Sequence, residues 1–112
     1  MKAVIADDEA ALASHLKVRL AALWPELTIV GMAANGIEAR DAIETLRPEL
    51  AFLDIRMPGL TGLEVMQALS PAARVVCRVV FVTAYDQFAV QAFEQEAVDY
   101  LLKPISDERL GA

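Results

Sequence analysis

A chain of 112 residues has room for one hydrophobic core, and a 56% hydrophobic composition is far from that of a disordered chain. The 16 acids outnumber the 10 bases and leave a formal charge of −6, which argues against direct binding to polyanions such as nucleic acid. Cys77 is the single cysteine, so an intramolecular disulfide and a cysteine-based zinc site are both excluded, and a buried thiol in a reducing compartment is expected. The first apolar run, residues 3–6, is too short for a secretion signal, and no other run approaches a membrane span. A cytoplasmic protein without a membrane partner is expected.

Strand-like and helix-like segments alternate along the chain, the pattern of a parallel sheet covered by helices. Residues 3–6 form a first apolar strand that stops at Asp7-Asp8. Leu12, Leu16, Leu20 and Leu23 then recur at helical spacing, and Pro25 ends that helix. His15 lies beside this stripe and reads as a surface or boundary residue. Residues 28–33 form a second strand, Asn35 is a plausible cap, and Ala39, Ile43 and Leu46 mark the inner face of a second helix ending before Pro48.

Residues 50–53 form a third strand that delivers Asp54 at its carboxyl end. A turn-rich loop, Met57-Pro58-Gly59-Leu60-Thr61-Gly62, leads to a third helix carrying Leu63, Val65, Met66 and Leu69 and stopping near Pro71. Residues 79–82 are β-branched or aromatic throughout, as in a strand buried on both faces, and end at Thr83. A fourth helix over 87–96, a short fifth strand over 100–102 and Lys103-Pro104 follow. Only the start of a fifth helix remains after Ser106.

In open parallel sheets, functional groups collect outside the carboxyl ends of the strands. Asp7, Asp8, Asp54, Thr83 and Lys103 come from four strands, and every one follows an apolar run at that edge. Alone, an Asp-Asp pair is most often a helix cap, a strand-end Thr reflects β-propensity, and Lys-Pro is a turn. Together they would require coincidence at each strand end. Three converging carboxylates repel one another unless a cation neutralises them or their pKa values rise, and hard oxygens with room for water suit Mg²⁺. Lys103 supplies a fixed positive charge, Thr83 a hydroxyl donor, and Asp54 is the acid best placed as a nucleophile toward phosphorus.

On these residues the sequence resembles the receiver domains of two-component response regulators along essentially its whole length. The resemblance rests on the acidic pair, on Leu53-Asp54-Ile55-Arg56-Met57-Pro58-Gly59, on Thr83-Ala84 and on Lys103-Pro104. Phe81-Val82-Thr83-Ala84-Tyr85-Asp86 and the segment Ala97-Val98-Asp99-Tyr100-Leu101-Leu102-Lys103-Pro104-Ile105 resemble, more narrowly, the subgroup joined to LytTR DNA-binding domains. The resemblance implies an α/β fold of flavodoxin-like, doubly wound (βα)₅ form, with a five-stranded parallel sheet in the order 2-1-3-4-5. The fifth helix would be truncated and the effector domain absent.

The resemblance also assigns roles. Asp54 is the implied phosphoacceptor, and Asp8, Asp54 and the backbone carbonyl of Arg56 are the implied Mg²⁺ ligands, with Asp7 acting through a water. Thr83 and Lys103 would grip the phosphoryl oxygens, Tyr100 would turn inward as Thr83 moves, and the Lys103-Pro104 peptide would be cis. The implied partners are a sensor histidine kinase and, on activation, a second copy docked through the face of the fourth helix, fifth strand and fifth helix. DNA would be reached only through the effector domain.

Such a chain is a switch that assists its own phosphorylation and dephosphorylation, and is not otherwise an enzyme. A haloacid-dehalogenase-type phosphatase shares the aspartate, Mg²⁺ and lysine but needs a second acid two residues after the nucleophile. Arg56 stands there and cannot serve as a general acid. A nucleotide or flavin site needs a glycine-rich or hydroxyl-rich loop after the first strand, where this chain has Asp7-Asp8-Glu9. A receiver-like module that no longer takes phosphate would have no use for all five polar residues.

Overall fold

Apolar residues on both faces of the first four strands set the layering. In the computed structural model, which describes residues 1–83 and the strand backbone of Asp99–Leu102, the chain runs β1 (Lys2–Ala6), α1 (Ala10–Leu23), β2 (Thr28–Ala33), α2 (Gly36–Leu46), β3 (Leu50–Leu53), α3 (Gly62–Ala68), α4 (Pro71–Val76), β4 (Arg78–Thr83) and β5 (Asp99–Leu102). The strands pair in parallel in the order β2-β1-β3-β4-β5. The expected helix over 87–96, Lys103-Pro104 and the start of a fifth helix lie outside the described residues.

Because side chains alternate along a strand, the strands β1 to β4 feed two cores. Ala3, Ile5, Leu50, Phe52, Val80 and Val82 pack with Ala13, Leu16 and Leu20 of α1 on one face. Ala6, Ala51, Leu53, Val79 and Phe81 pack with Ala39 and Ile43 of α2 and Val65 and Met66 of α3 on the other. Strands covered on both sides read as continuous apolar runs, which is why the short 3–6 and 50–53 segments stood out in the sequence. Cys77 is buried in the second of these cores, and burial pushes its thiol up to about 11. It is a structural residue, as expected.

Some helix faces differ from the sequence expectation. The inner face of α1 is Ala13, Leu16 and Leu20, whereas Leu12 and Leu23 are 39% and 42% exposed. A small residue meets the sheet where backbones approach closely, and leucine spacing alone does not reveal that rotation. Leu46 of α2 is likewise at the surface, while Ala39 and Ile43 are fully buried. α3 ends at Ala68, close to Pro71 as expected, and Pro71 itself opens a further short helix that was not expected. Proline at the first helical position gives up no needed N–H, and the Ser70 hydroxyl caps the turn by accepting from the Ala73 N–H at 3.2 Å. Asn35 caps α2 as expected, with its side-chain oxygen 2.8 Å from the Glu38 nitrogen. His15 is exposed on α1. No helix among the described residues is long and apolar enough to cross a membrane.

Candidate functional site

The carboxyl ends of β1 and β3 are joined by the ladder itself. The Asp54 N–H donates to the Ala6 carbonyl at 2.9 Å, and the Asp7 N–H donates to the Ala33 carbonyl at the end of β2 at 3.0 Å. The first acid after β1 and the acid after β3 are therefore placed by backbone pairing. Asp7 and Asp54 are buried, at 7% and 5% exposure, and Asp8 and Glu9 are exposed. One carboxylate oxygen from each of Asp7, Asp8, Glu9 and Asp54 lies within 4.8 Å of the others.

That cluster brings together three of the acids expected from the sequence and adds Glu9. The signal for Glu9 was its position directly after the acidic pair. Here it is the N-cap of α1, without a side-chain cap bond, so its carboxylate remains with the cluster. Asp7 accepts from the Glu9 N–H at 2.9 Å, so the pair's first member also shapes the turn into α1. The helix-cap explanation of Asp7-Asp8 is thereby replaced: neither residue is the N-cap.

After Asp54 the chain turns through Arg56, whose N–H points at Asp54 Oδ1 at 3.4 Å. Asp8, Arg56, Met57, Pro58 and Thr61 line an open cleft of about 510 Å³ beside the acids. The loop closes onto α3 by the Gly62 N–H to the Ile55 carbonyl at 2.8 Å. It is finished by a reciprocal cap, in which Thr61 Oγ1 accepts from the Glu64 N–H at 3.2 Å and Glu64 Oε1 accepts from the Thr61 N–H at 3.0 Å. Gly62 has to be glycine, because a Cβ there would overlap the Asp54 carbonyl oxygen and stand 3.0 Å from Phe81 Cε1.

Thr83 ends β4 with no exposed surface. Leu53 pairs with Phe81, which puts Thr83 at the same edge on the strand next to Asp54. The β5 backbone places Leu102 opposite Thr83, but Lys103, Pro104 and the side chain of Tyr100 are outside the described residues. The donor set is all carboxylate oxygen, with two buried groups to fix it and two exposed ones that leave room for water. These residues fit a hard divalent cation of the Mg²⁺ kind.

Fold and site together define an α/β domain of flavodoxin-like topology with an acidic, cation-suited crevice centred on a strand-end aspartate. The chain belongs to the response regulator receiver domain family, whose model matches residues 3–112. It is 54% identical over 110 residues to an uncharacterised response regulatory protein of Vibrio cholerae, covering 98% of this chain and 42% of that protein. It is 44% identical over 110 residues to the transcriptional regulatory protein BtsR of Escherichia coli, covering 98% of this chain and 45% of that protein. The response regulatory domain of protein mrkE from Klebsiella pneumoniae superposes with a TM-score of 0.90 at 33% identity, covering 99% of this chain and 89% of that one. The chain thus spans less than half the length of these full-length relatives and acts as a receiver domain in two-component signalling.

Proposed function

We propose that this chain is a phosphorylation-dependent switch in which Asp54 takes a phosphoryl group from a sensor histidine kinase. The observation that carries the reading is Asp54 itself. It is buried at the end of β3, held by its own backbone bond to β1, and clustered with Asp7, Asp8 and Glu9 beside an open cleft. A carboxylate oxygen of Asp54 would bond to phosphorus as the bond from phosphorus to the donor nitrogen breaks, the electron pair leaving with the kinase imidazole.

Asp8, Asp54 and the Arg56 carbonyl would hold Mg²⁺, with Asp7 acting through a water. Mg²⁺, when bound, would neutralise charge on the phosphoryl oxygens and on the acids themselves. Thr83 would donate its hydroxyl to a phosphoryl oxygen, and Lys103 would supply the opposing charge. Movement of Thr83 would let Tyr100 turn inward, and the lysine–proline bond at 103–104 would be cis. The product is a changed surface, so turnover of phosphate esters is not expected.

By similarity to transcriptional regulators such as BtsR, the output would be a DNA-binding domain beyond this chain, of the LytTR kind. Activated receivers would pair as homodimers to place two such domains on repeated half-sites. The chain itself carries 16 acids against 10 bases, which argues against direct contact with DNA, and it would act in the cytoplasm. The test is intact mass after incubation with acetyl phosphate and Mg²⁺. Wild type should gain one phosphoryl group, and Asp54→Asn should gain none. A phosphorylated Asp54→Asn chain, or an unmodified wild type, would overturn the assignment.

A further inference from the structure

The junction between β2 and α2 contributes no acid to the crevice, yet it is bonded to both of its halves. At one end the Ala33 carbonyl accepts the Asp7 N–H at 3.0 Å. Three residues later the Gly36 N–H donates to the Pro58 carbonyl at 3.0 Å, in the loop that leads away from Asp54. That second contact is also steric. A Cβ on Gly36 would overlap the Leu60 carbonyl oxygen and stand 2.6 Å from both the Leu60 carbonyl carbon and Cβ. Ile37 lies against the next turn of the same loop, its Cγ1 and Cδ1 being 3.1 and 3.2 Å from where a Cβ of Gly59 would sit.

The junction is itself anchored. Asn35 accepts from the Glu38 N–H at 2.8 Å and donates to Glu38 Oε2 at 2.7 Å, and Ala39 and Ile43 seat α2 in the core with no exposed surface. A displacement of the loop at Pro58 would therefore press on a fixed body that also holds the Asp7 backbone.

We propose that the β2–α2 junction, residues 33–37, is the positioning element of the crevice: it sets the separation between the Asp7 backbone and the loop after Asp54, so that groups from both face one cation. Gly36 and Ile37 are then positioning residues that touch neither cation nor phosphoryl group. The claim rests on the reading that the crevice takes Mg²⁺. That ion tolerates little distortion, since its ligands must stand at about 2.0–2.1 Å in near-octahedral array.

The experiment measures Mg²⁺ affinity by calorimetry on the folded chain for Gly36→Ala, Ile37→Ala and Ile37→Val. Ile43→Val serves as a control that loosens α2 without touching the junction. Residues that support ligands without being ligands typically cost about tenfold or more in metal affinity, so Gly36→Ala should bind Mg²⁺ about tenfold more weakly. Ile37→Ala should also be weakened, Ile37→Val should restore binding, and Ile43→Val should lower thermal stability at unchanged affinity. Undiminished affinity in Gly36→Ala and Ile37→Ala would overturn the proposal, as would an equal loss in Ile43→Val. If wild type bound no Mg²⁺, the metal reading would fall. The positioning claim would then be decided by hydrogen exchange at the Asp7 and Gly62 amides, which Gly36→Ala should quicken and Ile43→Val should not; equal exchange in the two variants would overturn it.

Discussion

Gly62→Ala places one methyl group against the backbone of Asp54, and its cost can be worked from three contacts. The new Cβ would overlap the Asp54 carbonyl oxygen, lie 3.1 Å from the Asp54 carbonyl carbon and 3.0 Å from Phe81 Cε1. Neither neighbour can step aside: Asp54 is tied to β1 through its N–H, and Phe81 has no exposed surface. The first turn of α3 must lift instead, breaking the 2.8 Å bond from the Gly62 N–H to the Ile55 carbonyl.

Overpacking costs about 1–3 kcal/mol and the lost hydrogen bond about 1 kcal/mol, while the smaller entropy of the unfolded alanine chain offsets roughly 0.4–1 kcal/mol. The net expectation is a loss of about 1–3.5 kcal/mol and a fall in Tm of roughly 4–20 °C. Urea unfolding followed by Trp24 fluorescence would measure it. Gly31→Ala is the matched comparison, because its Cβ meets the end of the surface Leu46 side chain at 3.2 Å, which can swing away, and Val4 Cγ2 only at an ordinary contact distance of 3.6 Å. A Gly62→Ala chain within about 0.5 kcal/mol of wild type, or one no less stable than Gly31→Ala, would refute the packing argument.

Asp8→Asn removes both charge and coordination from the proposed ion, so Mg²⁺ affinity and acetyl phosphate labelling should fall together, by about tenfold or more; calorimetry showing unchanged Mg²⁺ affinity removes Asp8 from the ligand set. The Glu44 carboxyl is held below its ordinary value, first by the Ser70 N–H at 2.6 Å and then by the Ser70 hydroxyl at 2.8 Å. A lowered folded-state value means that this contact stabilises above the ordinary 4.5 and that the contribution is lost as pH falls through the lower value, so the gap in urea midpoint between wild type and Glu44→Gln should close on acidification. A gap that persisted or widened would contradict it. Arg56 and Tyr85 each stand two residues beyond Asp54 and Thr83, where bulky side chains would flank the path of a hydrolytic water; Tyr85→Ala should quicken loss of the phosphoryl group, and equal or slower decay by intact mass counts against it. Sedimentation with and without beryllofluoride, on a version that includes the whole helix expected after Ser106, should show association for wild type and less for Tyr100→Ala, and its absence in wild type would remove the homodimer while leaving Asp54 untouched.

The element pattern was legible where the governing interactions are local. The 28–33 and 50–53 strands were read with the boundaries they have, and for 50–53 the polar Glu49 and Asp54 bracket a continuous apolar run. Asn35 was recognisable as a cap because its partner, Glu38, is three residues away. The leucine stripe of α1 was right at the buried Leu16 and Leu20 and wrong at Leu12 and Leu23: which side of a helix meets a sheet is decided by the packing of distant segments, and here Ala13 takes the inner position. The third helix does stop near Pro71, but proline also begins helices, and only the Ser70 cap and its bond to Glu44 show that Pro71 opens α4 as well.

By itself, the order of residues determined that polar groups would end several apolar strands, and parallel strands bring such ends to one edge, so Asp7, Asp8, Asp54 and Thr83 could be singled out without coordinates. Only the tertiary structure decided that Asp7 and Asp54 are buried while Asp8 and Glu9 face solvent, that Glu9 joins the cluster, and that α2 reaches across to hold the loop after Asp54. Period and capping act over a few residues and are written into neighbouring positions. Burial and convergence depend on backbone bonds between segments far apart in the chain, such as Asp54 to Ala6 and Gly36 to Pro58, and those exist only once the sheet has assembled.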